Sequence, residues 1–249
     1  MKMMLEDSSI TFDELVGYKL STRLEFADRM LDDLFTAVDH YGSQKAKEAR
    51  AVLEEWDREA NTDSRGTLLF YLWASRFNIN DPANYSVKWN REHPDTTPDG
   101  FSDPLRAVQL LEATVDEMQA RFGRLDVPWG DFYRLRQNGR DFPANGATEG
   151  LGVFRVAHSY DSRDGKQMYV GSGDSWVGII EFGENIKANV LLSYGNATQN
   201  NSPHNGDQLE LFSKKELREA WFTPEQVKKH TVRTEVFTQK GVEEYLHKR

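Results

Sequence analysis

GSGDSWVGIIEFGENIKANVLLSYGNATQNNSPHNGDQLELFSKKELREAWF, residues 171–222, decides how the rest of the chain reads. Trp176–Phe182 and Ala188–Leu192 are rich in Val, Ile, Leu and aromatics and are bounded by Gly and polar residues, which predicts two strands. The run Ser193–Gln208 that follows is dense in Asn, Gly and Ser, holds one Pro and lacks apolar periodicity. Such a run predicts a surface loop. Helix signals resume at Ser213, with Glu216 at the spacing of a capping box.

Within this stretch and just beyond it stand Gly173-Asp174-Ser175, Glu181-Phe182, Ser193-Tyr194-Gly195, Ser202-Pro203-His204, Asp207-Gln208 and His230-Thr231-Val232-Arg233. Their order and spacing resemble the C-terminal end of the β-chain of the penicillin acylase family. That family includes cephalosporin/glutaryl acylases and acyl-homoserine-lactone acylases, all N-terminal-nucleophile hydrolases. Upstream, Val52–Asp57, Asp63–Gly66 and Val127-Pro128-Trp129-Gly130 resemble the same family.

Composition sets independent bounds. The 249 residues allow one large or two small domains, and 38% hydrophobic content suffices for a core, so global disorder is disfavoured. A net charge of -9 disfavours nonspecific binding to nucleic acid or anionic lipid, which needs a basic face. The lack of cysteine excludes disulfides and cysteine nucleophiles. No apolar run approaches the roughly 20 residues of a membrane span. Residues 1–10 lack the apolar core of a signal peptide. The resemblance implies a periplasmic or secreted location, with the signal at the front of a longer precursor.

Residues 1–126 read as mainly helical. Thr11 with Glu14 and Thr22 with Glu25 have capping-box spacing, and Leu24, Ala27, Leu31, Leu34, Phe35 and Val38 recur at helical period up to Gly42. Ser43 is an N-cap candidate for a helix striped by Ala46, Ala49, Leu53 and Trp56. Thr67–Arg76 is apolar enough to be buried on more than one side. Residues 78–103, with Pro82, Pro94 and Pro98, read as loop. Asp103-Pro104 opens a helix lined by Leu105, Val108, Leu111, Val115, Met118 and Phe122 and closed by Gly123.

Residues 127–249 read as β-rich with a C-terminal helix. Val127–Gly130, Pro143 and Gly146 suggest loop and short extended pieces. Gly152–His158 and Gln167–Val170 predict strands around a turn at Asp164-Gly165, joining the later two in one antiparallel sheet. Thr223-Pro224 with Gln226 starts a last helix, and the charged tail Lys240–Arg249 is expected to fray.

Generic motifs are missing. There is no GxxxxGK[ST], no HExxH and no EF-hand loop, and the six histidines have no ligand spacing, so neither metal nor cofactor is expected. In the resembled family, a serine freed at the β-chain N-terminus attacks the amide while its own α-amine acts as base. That serine begins a Ser-Asn-x-Trp-like motif, and none occurs here. The family's oxyanion-hole Asn and substrate-side Arg precede the matching part. The resemblance therefore implies that nucleophile, base and oxyanion hole lie outside this chain.

One catalytic-side residue carries over by placement. A late β-chain Glu in the cephalosporin/glutaryl branch pairs with a His near the nucleophile, and Glu181 is its best match. Strict alternation puts Glu181 on the face of Ile179, which favours burial; the alternative is an exposed carboxylate on the strand's polar side. His204 and Asp207, in the polar loop, are substrate-binding candidates, with hydrogen bonding inside the loop as the alternative. Trp56, Trp73, Trp129 and Trp176 are expected in the core.

The fold class expected is α+β, a helical N-terminal half packed on an antiparallel sheet. By resemblance it is part of an αββα sandwich. The expected function is that of the C-terminal portion of an amidohydrolase acting on a small N-acyl substrate. Its partners would be an α-chain and the N-terminal part of the β-chain. The alternative is a truncated, non-catalytic scaffold or interaction module.

Overall fold

Helix-forming signals dominate the first half, and the chain obeys them. The computed structural model describes residues 2–161 and 165–234. Its first helices are α1 (Lys2–Leu5), α2 (Phe12–Lys19), α3 (Glu25–Tyr41), α4 (Gln44–Glu54), α5 (Thr67–Phe77) and α6 (Pro104–Phe122). Thr11 caps α2 with a reciprocal box to Glu14. Thr22 does not cap α3. Leu24 holds the N-cap position without a side-chain bond, because the Thr22 hydroxyl donates to Asn61 Oδ1 at 2.8 Å instead. Ser43 occupies the N-cap of α4, also without a side-chain bond.

The core forms where the apolar faces of α3 to α6 meet. Ala27, Leu31, Leu34 and Val38 of α3 are fully buried, with Phe35 partly so. α5 is buried on several sides, as its composition predicts. On α6, Val108, Leu111, Val115 and Met118 are buried, but Leu105 in the first turn is exposed. Phe26, Phe70, Trp73 and Phe77 form an aromatic nucleus, in which Trp73 and Phe77 stack with ring centroids 5.4 Å apart. The buried Trp73 indole donates to Ala107 O at 3.1 Å, which removes the cost of an unpaired donor.

Residues 78–103 are more than loop. They hold a small antiparallel hairpin, β1 (Tyr85–Val87) and β2 (Asp99–Phe101), whose Tyr85 and Phe101 cover the aromatic nucleus. The second half continues with α7 (Trp129–Phe132), β3 (Tyr133–Gln137), β4 (Arg140–Pro143), β5 (Ala157–Asp161), β6 (Met168–Gly173), β7 (Trp176–Glu181) and β8 (Lys187–Leu192). It closes with α8 (Leu209–Lys214), β9 (Arg218–Glu219) and α9 (Pro224–His230).

The strands do not form one antiparallel sheet. β4-β3-β6-β5 make a mixed sheet in which β3 and β6 run parallel, and β7-β8-β9 make a separate antiparallel one. Gly152–Val156, read as strand, is largely turn and bend, and β5 starts only at Ala157. The predicted Asp164-Gly165 turn begins on a residue outside the described ones, as does the tail Lys240–Arg249. Ser213 opens no helix: it lies in the last turn of α8 and gives its hydroxyl to Pro143 O at 2.7 Å. Thr223 does cap α9 by a box with Gln226. The architecture is α+β.

Candidate functional site

Two motifs of the C-terminal half, Gly173-Asp174-Ser175 and the one that starts at Ser193, meet at one turn. Gly173 has φ +114°, and a Cβ there would come within 2.4 Å of Val156 O, so only glycine fits. This places Asp174 N against Val156 O at 2.9 Å. The Asp174 carboxylate receives Lys19 Nζ of α2 at 2.6 Å, and Lys19 also reaches Phe154 O at 3.0 Å. The Asp174 carbonyl accepts the hydroxyl of buried Ser193, and Ser193 N donates to Ser175 O at 2.9 Å. Gly173-Asp174-Ser175 is thus a joint between α2, β7 and the end of β8.

Beneath this joint lies a fully buried arginine. Arg155 donates through Nε to Asn145 Oδ1 and through one terminal nitrogen to Phe212 O, and its guanidinium lies 4.0 Å from the Phe212 ring centroid. Asn145 is itself buried and donates to Ser213 O at 2.7 Å. Burial lowers the Arg155 pKa to about 10, and the nearby Asp174 carboxylate opposes that shift. Nothing in the sequence flags Arg155. It sits in Gly152–His158, which reads as an ordinary strand.

The polar loop Ser193–Gln208 is tightly built. Asn205 is fully buried; Gln137 Nε2 donates to its Oδ1 at 2.8 Å, and its Nδ2 donates to Thr198 O at 3.2 Å. Gly206 N donates to Tyr194 O at 2.8 Å, and buried Gln208 accepts Leu192 N at 3.0 Å. On this frame His204 Nδ1 meets Asp207 Oδ2 at 2.9 Å, while the imidazole remains largely exposed. The carboxylate fixes the orientation of the ring through Nδ1.

Glu181 is exposed, although it lies on the same face as buried Val177 and Ile179. The alternation is right, but the strand ends there, opposite Lys187, and the cover over its neighbours does not extend to it. Glu181 and the polar loop are not brought together. The pair Glu181–Lys187 closes one end of the hairpin and Trp176–Leu192 the other, roughly 17 Å away at the rise of a strand. Of the four tryptophans expected in the core, Trp56, Trp73 and Trp129 are there, whereas Trp176 is 58% exposed. Among the described residues no three His, Asp or Glu side chains converge as a metal site requires.

Known proteins resemble this chain in sequence. The profile of the family described as Penicillin amidase matches residues 1–229. An acyl-homoserine lactone acylase PvdQ of Pseudomonas syringae pv. syringae (strain B728a) is 28% identical over 230 residues, 88% of this chain and 29% of that protein. Its namesake from Pseudomonas savastanoi pv. phaseolicola is 30% identical over 186 residues, 72% of this chain and 24% of that protein. That of Pseudomonas fluorescens Pf-5 is 28% identical over 185 residues, with 72% and 24% covered. The chain spans less than a third of the length of these relatives. A match across residues 1–229 takes in every element from α1 to the end of α9 save its last residue, and the chain therefore belongs to the penicillin amidase family of amide hydrolases.

Proposed function

We propose that the chain is the C-terminal portion of an amidohydrolase that cleaves the linear amide of a small N-acyl substrate, with an acyl-homoserine lactone as the first class to test. A periplasmic or secreted location is part of the proposal. The observation that carries it is the family match over residues 1–229, which contains the joint at Asp174 and the braced loop around Asn205.

The chemistry is that of an activated serine. The serine hydroxyl, supplied by polypeptide outside this chain, adds to the amide carbonyl and passes its proton to the serine's own α-amine, whose pKa of about 8 suits a base near neutrality. Backbone N–H and an Asn side chain hold the oxyanion. The amine leaves with a proton, and water then releases the acid from the acyl-serine. In this assembly Glu181 is assigned to pair with a His beside the nucleophile. His204, oriented by Asp207, is assigned to the polar part of the substrate.

The test is to express residues 1–249 alone and together with the part of the P. syringae relative that has no counterpart here, then assay N-acyl-homoserine lactones and a chromogenic acyl-amide. The expected result is no turnover by the chain alone and turnover on complementation. Glu181→Gln should lower kcat in the complex without changing the melting temperature. Turnover by the isolated chain that a point change within it abolishes would overturn the reading. No turnover in any combination would favour the non-catalytic scaffold.

A further inference from the structure

The His204–Asp207 pair depends on the two residues between its members. The backbone angles of Asn205 and Gly206 set where the imidazole stands against the carboxylate. The peptide that joins these two residues is held at both of its polar atoms. Gly206 N donates to Tyr194 O, and Asn205 O accepts Arg140 Nη1 at 2.5 Å. Gly206 has φ +79°, and a Cβ there would stand 3.2 Å from Gln137 Cγ and 3.3 Å from Arg140 Nη1, so the glycine lets the turn between β3 and β4 come close. Gly195 seats the pair in the same way: a Cβ there would come within 2.1 Å of His204 O and 2.6 Å of Asp207 Oδ1.

The turn that supplies Arg140 is itself stiff. β3 and β4 pair up to Gln137 opposite Arg140, so Asn138 and Gly139 alone join them. Both have positive φ, 49° and 75°, as the two-residue hairpin turn that Asn-Gly favours requires. Three of its side chains reach one residue: Gln137 bonds Asn205 Oδ1, Asn138 Nδ2 reaches Asn205 O at 3.4 Å, and Arg140 takes the same carbonyl. Asn205 is fully buried, whereas the imidazole beside it is largely exposed. A charged donor on a carbonyl makes a stronger bond than a neutral one, so Arg140 is the firmest of the three grips.

We propose that Arg140 is a positioning residue: by fixing the Asn205-Gly206 peptide it holds the His204 imidazole against Asp207, ready for the polar part of the substrate. The substrate role of His204 is taken from the functional reading above. A carboxylate only accepts hydrogen bonds, so the neutral ring carries its proton on Nδ1 and keeps Nε2 as an acceptor. The pair therefore offers an acceptor to an N–H or O–H of the substrate. Without Arg140 the Asn205 carbonyl can turn toward water, and the spacing of His204 and Asp207 is no longer fixed.

The test reads the ring nitrogens of His204 by NMR in isotope-labelled residues 1–249, above the ordinary titration range of histidine, with His204→Gln to assign the signal. The expected result is the Nδ1–H form in the parent and in Arg140→Lys, whose ammonium still reaches the carbonyl. Arg140→Ala and Arg140→Gln should show a mixture of the two neutral forms; two such variants are made so that a fold lost in one does not decide the result. In the complex with the rest of the P. syringae relative, Arg140→Ala should raise KM for an N-acyl-homoserine lactone about threefold or more and leave kcat within about a factor of two. It should add nothing to the effect of His204→Gln, because it acts only through that ring. A parent ring without the Nδ1–H form, a ring signal that both neutral variants leave unchanged, or a KM effect that persists in full on His204→Gln would overturn the proposal. A mixed ring with unchanged KM would leave the positioning standing and remove His204 from substrate binding. No turnover by the complex would count against the hydrolase reading, and the ring signal would then decide on Arg140 by itself.

Discussion

Tyr194 carries a buried hydroxyl that has no hydrogen-bond partner among the described residues. Burial pushes its pKa up to about 12, and burial does the same to Tyr85. An unfolded chain ionises tyrosine near pH 10. Both groups therefore contribute stability that is fully present below pH 10 and is lost as pH rises toward 12. Urea midpoints should fall over that window, and Tyr194→Phe should flatten the fall. At pH 8 the same variant should be neutral or stabilising by up to about 1 kcal/mol, since it removes an unpaired buried polar atom. A midpoint at pH 8 lowered by more than that would mean the hydroxyl has a partner. Legibility at this scale was local. Asp207 three residues after His204 can be read from the sequence as a pair. The partners of Asp174 and Asn145, 155 and 68 residues away in Lys19 and Ser213, cannot. Alternation assigned Glu181 to the right face, but a sequence does not say how far a covering helix extends.

Elements were legible where one periodicity and one cap agreed. α6 shows it: Asp103 accepts Arg106 N at 3.0 Å, Pro104 follows, and Gly123 closes the helix. The phase of its buried face is testable with two variants six residues apart. Leu111 is fully buried, so Leu111→Asp should unfold the chain or cost more than about 3 kcal/mol by burying an unpaired carboxylate. Leu105 is 45% exposed, so Leu105→Asp should stay within about 0.5 kcal/mol, and the added charge near the helix N-terminus is favourable. Equal losses in thermal or urea melts would show that the phase is wrong. Caps misled where a hydroxyl had a better partner elsewhere: Asn61 for Thr22 and Pro143 O for Ser213. The strands β1 to β4 escaped notice because each has at most five residues, too few for a pattern, and the parallel pairing of β3 with β6 joins segments more than thirty residues apart.

At the scale of the molecule, the change in composition near residue 126 does not divide the core. One cluster of buried residues runs from Leu24 to Phe212 and takes side chains from both sides of that point. The seam is polar as well as apolar. Trp129 N donates to Ser64 O at 2.9 Å, Gly130 N to Thr62 O at 2.7 Å and Gly146 N to Ala60 O at 2.9 Å. Lys215 Nζ reaches Asn61 Oδ1 at 2.8 Å from the far end of the chain. The Trp129 indole stacks on Tyr133 at 4.3 Å and meets Tyr71 of α5 at 5.4 Å. Separating the halves would expose those rings and leave buried backbone donors unpaired, a loss far above the few kcal/mol that hold a domain folded. Residues 1–249 should therefore unfold in one cooperative step. Tryptophan fluorescence, which reads Trp56, Trp73 and Trp129 on both sides of the seam, should give the same midpoint as far-ultraviolet circular dichroism. Residues 1–126 expressed alone should keep helical content but lose the sharp transition, because the face that receives Trp129 and Phe132 would be open to water. Two resolved transitions in the full chain, or a sharp native-like melt of 1–126, would show that the helical segment is a domain in its own right.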